Sequence, residues 1–272
     1  MTYFGFLLRF LVIPILLLLI LAWRDHGWRR GWLRAPGSRT AGIIIGSLVL
    51  IALVYTTPWD NYLVANGIWW YDPALVTGIT LGWVPIEEYT FFVLQPIMTC
   101  LWTLYLMRHF WPLRGEIAPS PAVRWVSTVV LLLVWGWAVK ILVDGWAPGT
   151  YVAITLAWAI PPLLLQLALG GDVLWRQRTL VGVSILSATL YLAAADWLAI
   201  RIGIWTIDPA QSLNIFLGGT LPVEEFLFFL LTNTLVVFGL ILGMAAVQWP
   251  TLRERVRPIY LWLGRSTAIN RS

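Results

Sequence analysis

The sequence predicts an all-α membrane protein of seven transmembrane helices, arranged as two parallel three-helix repeats joined by a connector helix. Three observations lead there. First, 60% of the residues are hydrophobic and only 11% are charged, with a mean hydropathy of +0.80, whereas a soluble domain carries about 25% charged residues. Second, several continuous apolar runs approach the roughly 20 residues a membrane-crossing helix needs, which argues against the short alternating strands of a barrel. Third, rare residues recur in register along the chain.

Taken in order, the first span covers residues 3–22, with Arg9 near its start. No basic region precedes it and no small-residue cleavage site follows it, so it reads as an anchor rather than a signal peptide. Arg24, Arg29, Arg30, Arg34 and Arg39 follow. The second span is 40–55, and a Trp-rich loop without basic residues, 58–84, carries Asp60 and Asp72. The third span is 85–107, followed by Arg108, His109, Arg114 and Arg124. The fourth, 123–143, holds Lys140 near its outer end, where a snorkelling side chain is the simplest reading.

The fifth span is 151–169, followed by Arg176 and Arg178; the sixth is 179–200 and the seventh 222–247. The tail carries Arg253, Arg255, Arg257 and Arg265. Two readings of it stand: a segment lying on the membrane surface, or a disordered basic tail. Basic loops follow spans one, three, five and seven. The positive-inside rule then places the N-terminus outside and the C-terminus in the cytoplasm of an integral cell-membrane protein. The net charge of +5 is thereby read as loop charge, with no nucleic acid partner implied.

Asp60 and Asp196 lie 136 positions apart, as do Gly67 and Gly203, Trp69 and Trp205, and Asp72-Pro73 and Asp208-Pro209. Pro85-Ile86-Glu87-Glu88 and Pro222-Val223-Glu224-Glu225 follow at an offset of 137, each with two Phe three positions on: Phe91 and Phe92, Phe228 and Phe229. Residues 1–120 form the first three-span repeat, 121–149 the connector, 150–249 the second repeat and 250–272 the basic tail. One extra crossing between the three-span units lets both point the same way, with a shared site at their interface.

Candidate chemistry follows from the residue types. The lone Cys100 excludes an intrachain disulfide and a cysteine metal cluster, and His26 and His109 sit in Arg-bearing loops, so no metal centre is expected. Carboxylates near membrane depth are expensive and usually functional. Pro85 suits a first helical position, which puts Glu87 and Glu88 in the first turn, with Glu88 sharing a face with Phe91, Phe92 and Gln95. A desolvated carboxylic acid keeps its proton, and aromatic faces attract the cation that proton transfer creates. The catalytic candidates are therefore Glu87, Glu88, Glu224 and Glu225. The supporting candidates are Asp60, Asp72, Asp196, Asp208, Trp69, Trp205, Phe91, Phe92, Phe228, Phe229 and Gln95. Against this stands a plainer reading: acidic residues are favoured in any first helical turn by the helix dipole. Asp-Pro also reads as a turn, and the tryptophans as an interfacial belt.

The doubled Pro-x-Glu-Glu, each after a Trp-rich acidic loop, resembles the membrane lycopene and carotenoid cyclases of the heterodimeric type. In that family each subunit is a three-span unit, and this chain resembles the fused two-repeat form up to about Val247. The flanks differ: the second unit has Ala195-Asp196-Trp197 and the first Pro58-Trp59-Asp60 around the aligned aspartates. The resemblance implies cyclisation of lycopene. A Glu delivers a proton to C2 of a ψ end group, the C1 cation is captured by the C5=C6 double bond, and proton loss gives a β or an ε ring. The reaction is an isomerisation that consumes no cofactor, and the chain lacks the Gly-x-Gly-x-x-Gly fingerprint of flavin-dependent cyclases. The implied partners are a linear carotenoid, entering laterally, and the lipid bilayer; the oligomeric state stays open.

Two alternatives share these features. A cyclase of C50 carotenoids has the same motif. A proton-coupled transporter also fits parallel repeats with buried Glu, although few small polar residues lie in the spans. A retinal photoreceptor needs a lysine in the last span, and 222–247 has none.

Overall fold

The computed structural model describes residues 1–26, 38–113, 115 and 120–257. Arg29, Arg30, Arg34, Arg114 and Arg265 of the basic loops and tail lie outside the described residues. Among the described residues seven helices are long and apolar enough to cross a membrane. They are α1 (Tyr3–Asp25), α2 (Ser38–Ala65), α3 (Ile86–His109), α4 (Pro121–Asp144), α5 (Thr150–Arg176), α6 (Arg178–Arg201) and α7 (Val223–Gln248).

The largest departure from the expected spans is in α2. The helix runs through Pro58 to Ala65, so Trp59 and Asp60 stand on a helix and not in the loop expected from residue 58. A proline inside an apolar helix is tolerated where side chains take up backbone groups. Here Pro58 frees the Val54 carbonyl, and on either side of it Thr57 Oγ1 donates to the Leu53 carbonyl at 2.6 Å and Asn61 Nδ2 to the Thr57 carbonyl at 2.9 Å. The continuation is what carries Asp60 into the interior, where it is fully buried.

Prolines in α1 and α5 are handled differently, by a tyrosine from another helix. A proline removes the bond to the carbonyl four residues earlier. Pro162 frees the carbonyl of Trp158, which accepts from the Tyr55 phenol at 2.8 Å. Pro14 frees the carbonyl of Phe10, which accepts from the Tyr191 phenol at 3.0 Å; the turn before Pro14, Leu8–Val12, is π-helical. The helix α5 bends again where Gly170 leaves helical geometry (φ −150°, ψ 25°).

At one end of the bundle the loops form short strand pairs. Strand β1 (Trp69–Tyr71) lies antiparallel to β4 (Trp205–Ile207), with Trp70 opposite Thr206. Strands β2 (Thr80–Leu81) and β3 (Val84–Pro85) form one hairpin, and β5 (Phe216–Leu217) and β6 (Leu221–Pro222) another. The first hairpin turns at Gly82, whose φ of +70° suits glycine; a Cβ there would come within 2.2 Å of Asn61 Oδ1. Pro85 and Pro222 have extended ψ and act as N-caps. The first helical residues are thus Ile86 and Val223, one later than expected, because each proline is also the last residue of a strand.

In the centre, α3 and α7 are joined by Gln95 Nε2 and Thr99 Oγ1, which donate to Asn233 Oδ1 at 2.9 and 2.7 Å. Asn233 in turn donates to Thr189 Oγ1 of α6 at 3.2 Å. Helix α4 is peripheral: Ala138 and Ile141 are its buried residues. Lys140 is exposed and pairs with Asp144 at 2.7 Å. At the other end Asp172, with its side chain 1% exposed, takes Arg255 at 3.0 Å and lies 3.7 Å from Arg124. That pair pins the helical residues 250–257 to α5.

Candidate active site

Residues i and i+1 of a helix point about 100° apart, so the paired glutamates of each motif cannot face the same way. The structure separates them. Glu87 is 1% exposed and Glu224 fully buried, and both turn back on the loops that precede them. Glu87 Oε1 accepts from the Thr77 backbone N–H at 2.7 Å, and Glu224 Oε1 from the Leu213 N–H at 2.6 Å. Glu88 and Glu225 instead point into the bundle and line one small cavity, about 40 Å³, with Asp196.

Phenols hold these two carboxyls. Tyr151 donates to Glu225 Oε1 at 2.7 Å. Tyr3 donates a short hydrogen bond to Glu88 Oε2, and Tyr71 donates to the same oxygen at 3.1 Å. The loops place both α1 and α5 tyrosines: the Tyr3 N–H bonds the Leu75 carbonyl at 2.8 Å, and the Tyr151 N–H the Gln211 carbonyl at 3.0 Å. Burial pushes the Tyr71 phenol well above the ordinary tyrosine range, and the neighbouring Asp60 and Glu88 add to this. Tyr71 therefore keeps its proton at neutral pH and acts as a hydrogen-bond donor.

The rest of the wall is aromatic. Phe6, Trp59, Trp69, Phe91, Trp205, Phe228 and Phe229 line the cavity. Trp59 stacks on Phe228 (centroids 5.7 Å, planes 3° apart) and on Trp158 (4.4 Å). Among the described residues no Lys, Arg or His lines it.

Two aspartates complete the acidic centre. Asp60 and Asp196 are fully buried, and each interacts electrostatically with both Glu88 and Glu225. Among the described residues no carboxyl oxygen of either has a hydrogen-bond partner; the Trp205 indole lies beside Asp196 without reaching hydrogen-bonding geometry. A buried polar group left unpaired costs about 1–3 kcal/mol, so these positions work against stability.

The structure thus gathers Glu88, Glu225, Asp60, Asp196, Trp69, Trp205, Phe91, Phe228 and Phe229 into one region. Phe92 and Gln95 line an adjoining apolar cavity. Asp72 and Asp208 lie apart, at turns: their Oδ1 atoms accept from the N–H groups of Ala74 and Ala210 at 2.8 and 3.0 Å. Sequence reasoning missed Tyr3, Tyr71, Tyr151 and Trp59. Tyr3 and Tyr151 did leave a signal, for Thr2-Tyr3 recurs as Thr150-Tyr151, but at an offset of 148 rather than 136.

Comparison with known proteins bears directly on this site. The lycopene cyclase family model matches residues 1–106 and 148–242. A lycopene beta-cyclase of Halobacterium salinarum is 42% identical over 212 residues, 77% of this chain and 85% of that protein. Bifunctional lycopene cyclase/phytoene synthases of Podospora anserina and Leptosphaeria maculans are 37% and 40% identical, each over 72% of this chain and about a third of their own length. No solved structure matches. With both motif-bearing halves matched and a relative aligned over most of both chains, the chain belongs to the lycopene cyclase family.

Proposed function

We propose that this chain is a membrane-embedded lycopene cyclase in carotenoid biosynthesis, closing ψ end groups to rings by proton transfer from its own carboxyls. The observation that carries the reading is the pair Glu88 and Glu225, held by phenols in one aromatic-walled cavity. The activity named for the Halobacterium relative points to the β ring as product.

The chemistry is an isomerisation. One carboxyl gives its proton to C2 of the end group, the C5=C6 π electrons close the C1–C6 bond, and the cation moves to C5. Loss of the C6 proton to a second carboxylate forms the ring double bond, so the proton count is unchanged. Glu88 and Glu225, which line the cavity, exchange protons with substrate in this scheme. Glu87 and Glu224 hold the loops that close the site. The faces of Trp59, Trp69, Trp205, Phe91, Phe228 and Phe229 favour the cation at each stage. The buried walls keep water from capturing it. The scheme needs no cofactor.

The seven apolar helices support a chain that spans the bilayer, with the N-terminus outside and the C-terminal ends of α3 and α5, which carry Arg108 and Arg176, and the Arg253-bearing segment after α7 in the cytoplasm. Two parallel three-helix repeats, 1–120 and 150–249, as in a fused heterodimeric-type cyclase, account for hydrogen bonds that recur at one offset. The Asp72 N–H bonds Ile204 and the Asp208 N–H bonds Ile68, at 3.0 and 2.8 Å. The peripheral α4 serves as connector within 121–149, and the family match is interrupted over the residues that contain it; the basic tail is 250–272. Family membership leaves the transporter reading without support.

Expression in a lycopene-accumulating host, followed by chromatography of the pigments, tests the reading. Cyclised carotenoid is expected. Unchanged lycopene beside normally inserted protein refutes it, and conversion of C50 precursors alone selects the longer substrate.

A further inference from the structure

Two apolar cavities flank the acidic one. The first, about 230 Å³, lies between α2, α3, α5 and α7, with Tyr55, Gln95, Trp158 and Leu165 in its wall. The second, about 360 Å³, lies between α1, α3 and α6, with Pro14, Leu17, Trp102 and Tyr191 in its wall. They are counterparts within the chain. Tyr55 and Tyr191 stand 136 positions apart, and Leu17 and Leu165 stand 148 apart, as do Pro14 and Pro162. Each holds the same tyrosine-to-carbonyl bond above a proline.

They differ in their relation to the acids. Phe91 and Phe228 line both the first cavity and the acidic cavity. Among the described residues the second cavity shares no lining residue with it. The first also continues outward: Ile51, Tyr55 and Trp158 belong equally to a groove on the outer surface, where Ile51 is 60% and Leu165 54% exposed. Adjacent walls thus lead from the lipid-facing surface to Glu88 and Glu225 on one side of the bundle only.

Volume makes this neighbour necessary. A cavity of about 150 Å³ takes up benzene, whereas the acidic cavity is about 40 Å³. A six-carbon ring bearing methyl groups enters only when the Phe91 and Phe228 side chains swing and the two spaces join. Resting on the cyclase reading, we propose that the cavity bounded by Tyr55, Gln95, Trp158 and Leu165 is the subsite for the conjugated polyene chain of the substrate. The end group passes between Phe91 and Phe228 to reach the acids, and the α1–α6 cavity lies off this path. Flat aromatic faces and an apolar lining suit a rigid polyene.

The native Cys100 is the single cysteine and is buried, so a thiol reagent reports on introduced cysteines. Leu165→Cys and Leu17→Cys sit at equivalent rims, Leu17 being 56% exposed. Each full-length variant, in membranes, is treated with a pyrene maleimide, and lycopene conversion after labelling is divided by conversion before. Labelling is also timed with and without lycopene in the bilayer. For Leu165→Cys the ratio falls about tenfold or more and lycopene slows labelling; for Leu17→Cys the ratio stays near one and lycopene has no effect. A ratio near one at Leu165→Cys, or equal loss at Leu17→Cys, overturns the proposal. If the unmodified chain does not cyclise lycopene, the cyclase reading fails by itself. Slowing of labelling at Leu165→Cys alone then still supports the polyene subsite, and its absence overturns it.

Discussion

Tyr151 donates its phenol hydrogen to Glu225 at 2.7 Å, and 148 positions earlier Tyr3 makes the same bond to Glu88. The two carboxyls are thereby aimed by residues from α1 and α5, far from them in sequence. Removing a hydrogen bond to a charged group costs about 1.5–3 kcal/mol, or roughly 10- to 150-fold in rate if the bond acts in the transition state. Tyr3→Phe and Tyr151→Phe are expected to lower kcat by that order at unchanged protein levels. Tyr71→Phe is expected to cost less, since Tyr3 still holds Glu88. Initial rates on lycopene in membranes decide this.

The four glutamates are predicted to divide into two kinds. Glu88→Gln and Glu225→Gln keep shape and remove the transferable proton, and should each lower turnover by about 10²–10⁴-fold. Glu87→Gln and Glu224→Gln leave an acceptor for the Thr77 and Leu213 N–H groups. They should retain most activity, while Ala at either position costs about 1–3 kcal/mol of stability. Activity and detergent-resistant melting of all six variants check the division. Full activity in Glu88→Gln and Glu225→Gln removes the acid–base assignment.

Much of this arrangement was legible in the sequence. The seven apolar helices fell where continuous hydrophobicity put them, because chemistry alone distinguishes a 20-residue apolar run. The Pro-x-Glu-Glu motifs and Asp60/Asp196 were found because their spacing recurs. Three things were hidden. Pro58 signalled a loop by local propensity, but Thr57 and Asn61 take up neighbouring carbonyls and the helix runs on. Tyr3 and Tyr151 kept no common offset with the motifs, since the segments joining the first and second helices of each unit differ in length. The separate tasks of Glu87 and Glu88 depend on which loop N–H lies within reach, and that is a tertiary fact.

Asp60 and Asp196 are expected to trade stability for function. Both are buried with no hydrogen-bond partner among the described residues, and destabilised groups at an active site trade stability for activity. Asp60→Asn and Asp196→Asn should melt at or above the temperature of the parent chain while cyclising more slowly. Thermal unfolding in detergent beside rate measurement tests this; a lower melting temperature with full activity assigns them a structural role.

The Asp172–Arg255 pair makes a prediction remote from the chemistry. Breaking a buried pair by removing one partner costs about 3–5 kcal/mol. Arg255 keeps an 18% exposed side chain, so the lower end of that range applies to Asp172→Ala. Residues 250–257 should then release from α5, and limited proteolysis should cut after Arg253 or Arg255 faster than in the parent chain. Equal cutting rates argue against the clamp.

Whether the carboxyls at Glu88 and Glu225 protonate the substrate is tested most directly by isotope transfer in a single turnover. The protein is equilibrated in D₂O, held in molar excess over lycopene, and the product is analysed by mass spectrometry and NMR. One deuterium at C2 of every ring formed is the predicted result, lost in Glu88→Gln and Glu225→Gln together with cyclisation. Rings formed without deuterium at C2, or formed at the parent rate in both variants, contradict proton delivery from this pair.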